Sequence, residues 1–173
     1  PDIDPTSPTA MSWAWMRESQ MKILDLPYTS VVNTIDLGDE KNVHPVDKLP
    51  IGIRLALAAE KYTLDKDVVA EGPIFKEVKP LNNTLIVYFK NAHGLKTVDG
   101  NAPVGFWISD GSMQWQKAKA KIVGETVVLS HGDIKDPKFV RYAFAGKPDV
   151  NLVNSADLPT YPFRTDNVIP IDE

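Results

Sequence analysis

Val31-Val32-Asn33-Thr34-Ile35-Asp36-Leu37-Gly38-Asp39-Glu40-Lys41-Asn42-Val43-His44-Pro45 is the stretch on which the reading of this chain turns. Val31 to Asp36 is rich in Val, Ile and Thr and too short for a helix, which predicts a buried strand. An acidic loop punctuated by Gly38 follows and ends on His44. Beyond it Ile51, Leu55, Ala58, Ala59 and Tyr62 recur at helical spacing, predicting a helix that starts near Asp47 and packs that face on the strand. The imidazole therefore falls at a strand-to-helix turn, where open α/β sheets place their chemistry.

Working outward toward the N-terminus, Trp13, Met16, Gln20, Ile23 and Leu24 predict a helix over Trp13–Leu26, with Ser12 as its cap and Pro27 just beyond its end. Residues 1–11 carry prolines among Asp, Thr and Ser and read as an extended lead-in. Helix, strand and helix make one edge of an α/β layer, and a single strand is not a complete sheet.

From Gly72 the character changes. Prolines and glycines punctuate short β-branched and aromatic segments, predicting strands near 74–79, 85–90, 104–108, 113–122, 126–130 and 139–145. Ser109-Asp110-Gly111-Ser112 and Gly124-Glu125 should close hairpins. Lys117-Ala118-Lys119-Ala120-Lys121 alternates, so its lysines fall on one face, the solvated outside of an edge strand. The tail from Pro148 reads as irregular, with Tyr161 and Phe163 available to pin it to the body. The fold class expected is an α/β edge fragment followed by an all-β sandwich-like module. Its boundaries are 1–11 for the lead-in, 12–70 for the α/β piece and 71–173 for the β-rich module.

At 173 residues and 43% hydrophobic, the chain is long enough to bury a sizeable core. A net charge of -4, with no basic block, argues against nucleic acid and anionic lipid as partners. The absence of cysteine removes disulfides, thiolate zinc sites and thiol nucleophiles. Neither a signal-like start nor a run of 18 or so apolar residues is present, so a soluble protein is expected, with any targeting signal upstream.

His44 is the first candidate for chemistry. A general base needs a pKa near working pH, access to substrate and a partner that fixes its tautomer. Asp36, Asp39, Glu40 and Asn42 all lie within eight residues of it. The competing reading is an imidazole that caps or hydrogen-bonds locally at the helix start. His93 and His131 sit beside glycine in predicted turns and read as surface residues. Without a His-x-His or His-x-x-x-His spacing, no metal site is expected, and no cofactor. Ser109, Ser112 and Ser130 read as turn residues rather than nucleophiles. Trp107 and Trp115 flank one hairpin, either as core residues or as a sugar-stacking platform.

Trp13 to Leu26, Thr34-Ile35-Asp36-Leu37-Gly38-Asp39, Val43-His44-Pro45-Val46-Asp47-Lys48 and Gly52-Ile53-Arg54-Leu55-Ala56 resemble the end of the catalytic domain in the sialate O-acetylesterase family. Gly72-Pro73-Ile74-Phe75, Val140-Arg141-Tyr142-Ala143-Phe144 and Pro162-Phe163-Arg164-Thr165-Asp166 resemble the β-rich C-terminal part of the same proteins. The resemblance implies the C-terminal portion of an SGNH-type serine esterase, with residues 12–70 as one piece of its three-layer domain. It implies a serine nucleophile, a histidine base, an orienting acid and an oxyanion hole. The histidine corresponds to His44, whereas the family's Gly-Gln-Ser-Asn nucleophile turn has no counterpart here.

Family members often carry a carboxylate two residues before this histidine, where the chain has Asn42. Asp36, at the strand end, and Asp39, in the loop, are the alternative orienting residues. The family implies an extracellular, periplasmic or lysosomal setting. The expected partner is an N-terminal segment or second chain bearing the serine, and the expected substrate an acetylated sugar, sialic acid or another glycan such as xylan. Alone, the chain should be inactive and should expose an apolar sheet edge. The rival is a non-catalytic β-sandwich module that binds carbohydrate or a partner chain.

Overall fold

The computed structural model of the protein describes residues 13–38, 42 and 44–168. The expected lead-in at 1–11, the Ser12 cap and Asp39 with its neighbour Glu40 lie outside the described residues.

Two helices open the described chain. Helix α1 spans Trp13–Met21 and tightens into a 3₁₀ turn over Lys22–Asp25, stopping before Leu26 and Pro27 as the proline dictates. Helix α2 spans Leu49–Tyr62. Asp47 Oδ1 accepts the Leu49 N–H at 2.9 Å, and Pro50 in the first turn has no N–H to leave unsatisfied. The face of α2 differs from expectation. Arg54 and Ala58 are buried, while Leu55 and Tyr62 face solvent. Spacing alone located an apolar stripe, but an arginine with a carboxylate partner took the inward position.

The strand expected over Val31–Asp36 is a correction: this segment pairs with no strand among the described residues. A strand is completed by its neighbour, so β-branched sequence alone does not make a ladder. Its polar groups are met individually. Tyr161 Oη donates to Val31 O at 2.6 Å, Arg54 Nη1 to Asn33 O at 2.6 Å, and the Leu37 N–H to Thr34 O at 3.0 Å. Correspondingly, no apolar sheet edge forms there.

The β part follows the period-2 pattern closely. Its strands are β1 (Ile74–Leu81), β2 (Thr84–Lys90), β3 (Lys96–Thr97), β4 (Phe106–Ser109), β5 (Gln116–Lys117), β6 (Lys119–Val123), β7 (Thr126–Ser130), β8 (Phe139–Tyr142), β9 (Leu152–Val153) and β10 (Phe163–Arg164). They form antiparallel sheets in the orders β1-β2-β7-β6 and β10-β8-β4-β5, with β3-β9 as a separate pair. Leu85, Val87, Val127 and Leu129 of the first sheet share one core with Phe106, Ile108, Val140 and Tyr142 of the second. The molecule is thus a mixed helical and β module.

The predicted strand 113–122 is split at Ala118, where the chain passes from one sheet to the other. β6 is an edge strand whose lysines face out while Ala118, Ala120 and Ile122 pack against the core. β8 ends at Tyr142, three residues earlier than expected, because Ala143 turns to φ 52. The tail is pinned by Tyr161 and by Phe163, whose ring stacks on Phe75 at 4.4 Å.

Candidate functional site

The segment leading to His44 is held from three sides. From α2, Arg54 Nη1 donates to Asp36 Oδ1 at 2.7 Å and Nη2 to Asp36 Oδ2 at 2.6 Å, a fork-to-fork pair. From the tail, the Pro159 and Thr160 carbonyls accept from Asn33 Nδ2 at 3.1 and 3.0 Å. From the loop after β8, Lys147 Nζ reaches Ile35 O at 3.4 Å and Leu37 O at 3.3 Å. Gly38 bends at φ +74, a conformation that glycine adopts as readily as its mirror image.

His44 is exposed, and its backbone N–H donates to Asn42 Oδ1 at 2.9 Å. That bond reaches the main chain of His44, not its ring. Asn42 thereby shapes the turn that presents the imidazole. Asp36 and His44, neighbours in the sequence argument, are not joined by a hydrogen bond among the described residues; the carboxylate is directed to Arg54. Asp39 lies outside the described residues. An exposed imidazole at such a turn is open to a proton donor or acceptor brought by another segment.

Beside this loop lies a cleft of about 370 Å³, bounded by α1 through Trp13, Arg17 and Gln20, by the 31–38 segment, and by Lys147. Asn42 and Pro45 reach its rim. Arg17 lines it without projecting a free charge, because its guanidinium donates to Ala145 O at 2.7 Å and Gly146 O at 2.6 Å. Burial lowers the pKa of this arginine from its ordinary value. Helix α1 is secured further by Glu18, which takes Arg164 Nε at 2.7 Å, and by Trp15, edge-on to Phe144 at 5.0 Å.

The other sequence candidates lie elsewhere. His93 is on the surface near Glu125, and His131 Nδ1 accepts the Asp133 N–H in a turn. Ser109 is fully buried and Ser112 Oγ donates to Asp110 Oδ1 at 2.7 Å, both turn roles. Trp115 is half-buried, with the Arg141 guanidinium 4.5 Å from its ring centroid, and Trp107 is half-buried in β4. Among the described residues no group of three or more His, Cys, Asp or Glu is placed to hold a metal ion. Arg54 and Lys147 had no spacing signal of their own. The one hint was a lone cation inside the apolar run of α2, which a solvent-facing position would have explained as well.

Comparison with protein-family models and with curated proteins gives no match. Among solved structures, the chain is similar to a carbohydrate acetylesterase from Xanthomonas citri, at a TM-score of 0.86 and 35% sequence identity over 90% of this chain. The chain is related to part of an esterase. It spans 36% of that acetylesterase's length.

Proposed function

We propose that this chain is the C-terminal part of a carbohydrate O-acetylesterase of the sialate O-acetylesterase kind, supplying His44 as the base of an SGNH-type serine site. The nucleophile belongs to a preceding segment or a second chain. The observation that carries this reading is the 35% identity along nearly the whole chain to an acetylesterase of which it accounts for 36%. In the proposed reaction His44 takes the serine proton as Oγ attacks the acetyl carbonyl, then returns it to the departing sugar oxygen. Water, activated by the same ring, releases acetate and regenerates the serine. Asp39 in the same loop, or an acid on the complementary segment, is the candidate to orient the imidazole.

Surface chemistry supports the missing complement. Leu49, Ile53, Leu55 and Tyr62 of α2, with Trp13 and Met16 of α1, are exposed, whereas the β part keeps most of its large apolar side chains inside. In this reading, segments 13–26, 31–37 and 49–62 are the last pieces of a layered domain, and Val31–Thr34 gains its strand neighbour from the complement. Co-expression with a segment bearing the serine should yield acetyl ester hydrolysis that His44→Ala reduces by about 10³-fold or more. Unchanged turnover in that variant would remove His44 from the role.

A second reading, a non-catalytic module for carbohydrate or a partner chain, draws on the amide at Asn42 and on the turn roles of Ser109 and Ser112. Calorimetry of the isolated chain with acetylated and sialylated glycans separates the two. Tight binding without hydrolysis in any reconstituted complex favours the module.

A further inference from the structure

We infer that Arg54 is a positioning residue, which with Asp36 forms a clasp closing the loop that carries His44. The inference rests on the reading of His44 as the base. Asp36 and Arg54 are 18 residues apart in the chain, and His44 lies near the middle of what separates them. Both carboxylate oxygens are used, and Arg54 Nη1 also holds Asn33 O at 2.6 Å, so the clasp grips the segment at two points. Asn33 is itself bound to the carbonyls of Pro159 and Thr160, which ties the clasp to the β part.

Arg54 is buried at 8% exposure, in the face of α2 where the hydrophobic period called for an apolar residue. An ion pair in such a place contributes little net stability, because desolvation offsets most of its attraction. What it supplies is register: two parallel hydrogen bonds admit one relative placement of α2 and Asp36, where an apolar contact admits several. The described side-chain bonds inside the loop are short-range, Asn42 to the His44 N–H and Lys48 Nζ to Pro45 O at 2.7 Å, and shape it locally. Among the described residues the clasp and Lys147 tie the segment entering the loop to the rest of the fold. Asp36 is consequently spent on Arg54, and the acid facing the imidazole comes from elsewhere.

Three variants test this: Arg54→Lys, which keeps the charge but loses the fork; Asp36→Asn, which is isosteric; and the apolar double Asp36→Leu with Arg54→Met. Hydrogen exchange of the purified chain should accelerate about tenfold or more in peptides spanning 36–48 of each variant. Peptides covering β2 and β7 should keep wild-type rates. Wild-type exchange of the loop in the folded variants overturns the inference, as does equal acceleration in the sheets of both single variants. In the reconstituted esterase, Arg54→Lys should lower kcat by about 10²-fold, as expected for a base displaced by about an ångström, with KM within about twofold. An unchanged kcat beside an inactive His44→Ala also overturns it. The exchange measurement needs no turnover, so failure of the esterase reading is seen separately, in His44→Ala.

Discussion

Replacing Asp166 by asparagine keeps the volume of the side chain and removes its charge. Asp166 is fully enclosed, and Arg141, itself 6% exposed, donates Nε to Oδ2 at 2.8 Å and Nη2 to Oδ1 at 2.9 Å. Arg164 Nη1 and the Val168 N–H add bonds to Oδ1, each at 3.1 Å. The guanidinium groups lie against aromatic faces, Arg141 at 4.5 Å from Trp115 and Arg164 at 4.4 Å from Trp15, so neither is free to swing into water. Taking away the carboxylate charge removes the described ion-pair partner of buried Arg141, which costs about 3–5 kcal/mol against a domain total of about 5–15.

The pH dependence of the pair has a definite sign. Burial by itself would raise the Asp166 pKa, but the hydrogen bonds and charge of Arg141 outweigh it and hold the carboxyl below its ordinary value of 3.8. A depressed folded pKa gives stability that is complete above the unfolded value and lost as pH falls through the folded one. Urea unfolding from pH 3 to 7 should therefore show an acid-side loss in the wild type that is smaller in Asp166→Asn. A variant within about 1 kcal/mol of wild type at pH 7, or one with the same acid-side loss, would refute the reasoning.

Gly72→Ala should destabilise by about 2–4 kcal/mol in thermal unfolding, since its Cβ would stand 2.0 Å from Pro159 O and 2.9 Å from Leu158 O, both backbone atoms. Gly52→Ala, inside α2 with nothing within 4 Å of the added carbon, should instead gain about 0.5–1 kcal/mol. Burial, then the charge of Glu71, pushes Tyr161 up to about 12. Tyr161→Phe should thus leave the 295 nm absorbance rise between pH 9 and 11 unaltered, and a loss of one tyrosine's amplitude would contradict the burial. Arg17→Ala removes the two bonds from α1 to the Ala145 and Gly146 carbonyls. Amide exchange should rise in Trp13–Met21 and stay constant in Thr126–Ser130.

Much of the β part was legible because alternation is a local signal. Leu85, Val87, Val127 and Leu129 are buried where period 2 puts them, and the lysines of β6 lie on the solvent side of an edge strand. The helices were legible for a similar reason: apolar residues at helical spacing marked both, and Pro27 marked the end of the first through its missing N–H. Less could be read around His44. The sequence offered Asp36, Asp39 and Asn42 as companions of the ring, and placed Asp36 ahead of Asp39 because a strand was expected to fix it. Asp36 proved to face Arg54, and Asn42 to hold the backbone.

Sequence by itself determined both helices and the longer strands of the β part, the place of His44 in a turn before α2, and the likeness to an esterase, since periodicity, turn chemistry and motif are written in neighbouring residues. Tertiary structure alone decided that Val31–Asp36 forms no ladder within the described residues, that α2 turns Arg54 inward and Leu55 outward, and that Asp36 belongs to a clasp. Those outcomes depend on partners 18 to 130 residues away, where the energy of a hydrogen bond or a buried charge is set by what the rest of the chain brings beside it.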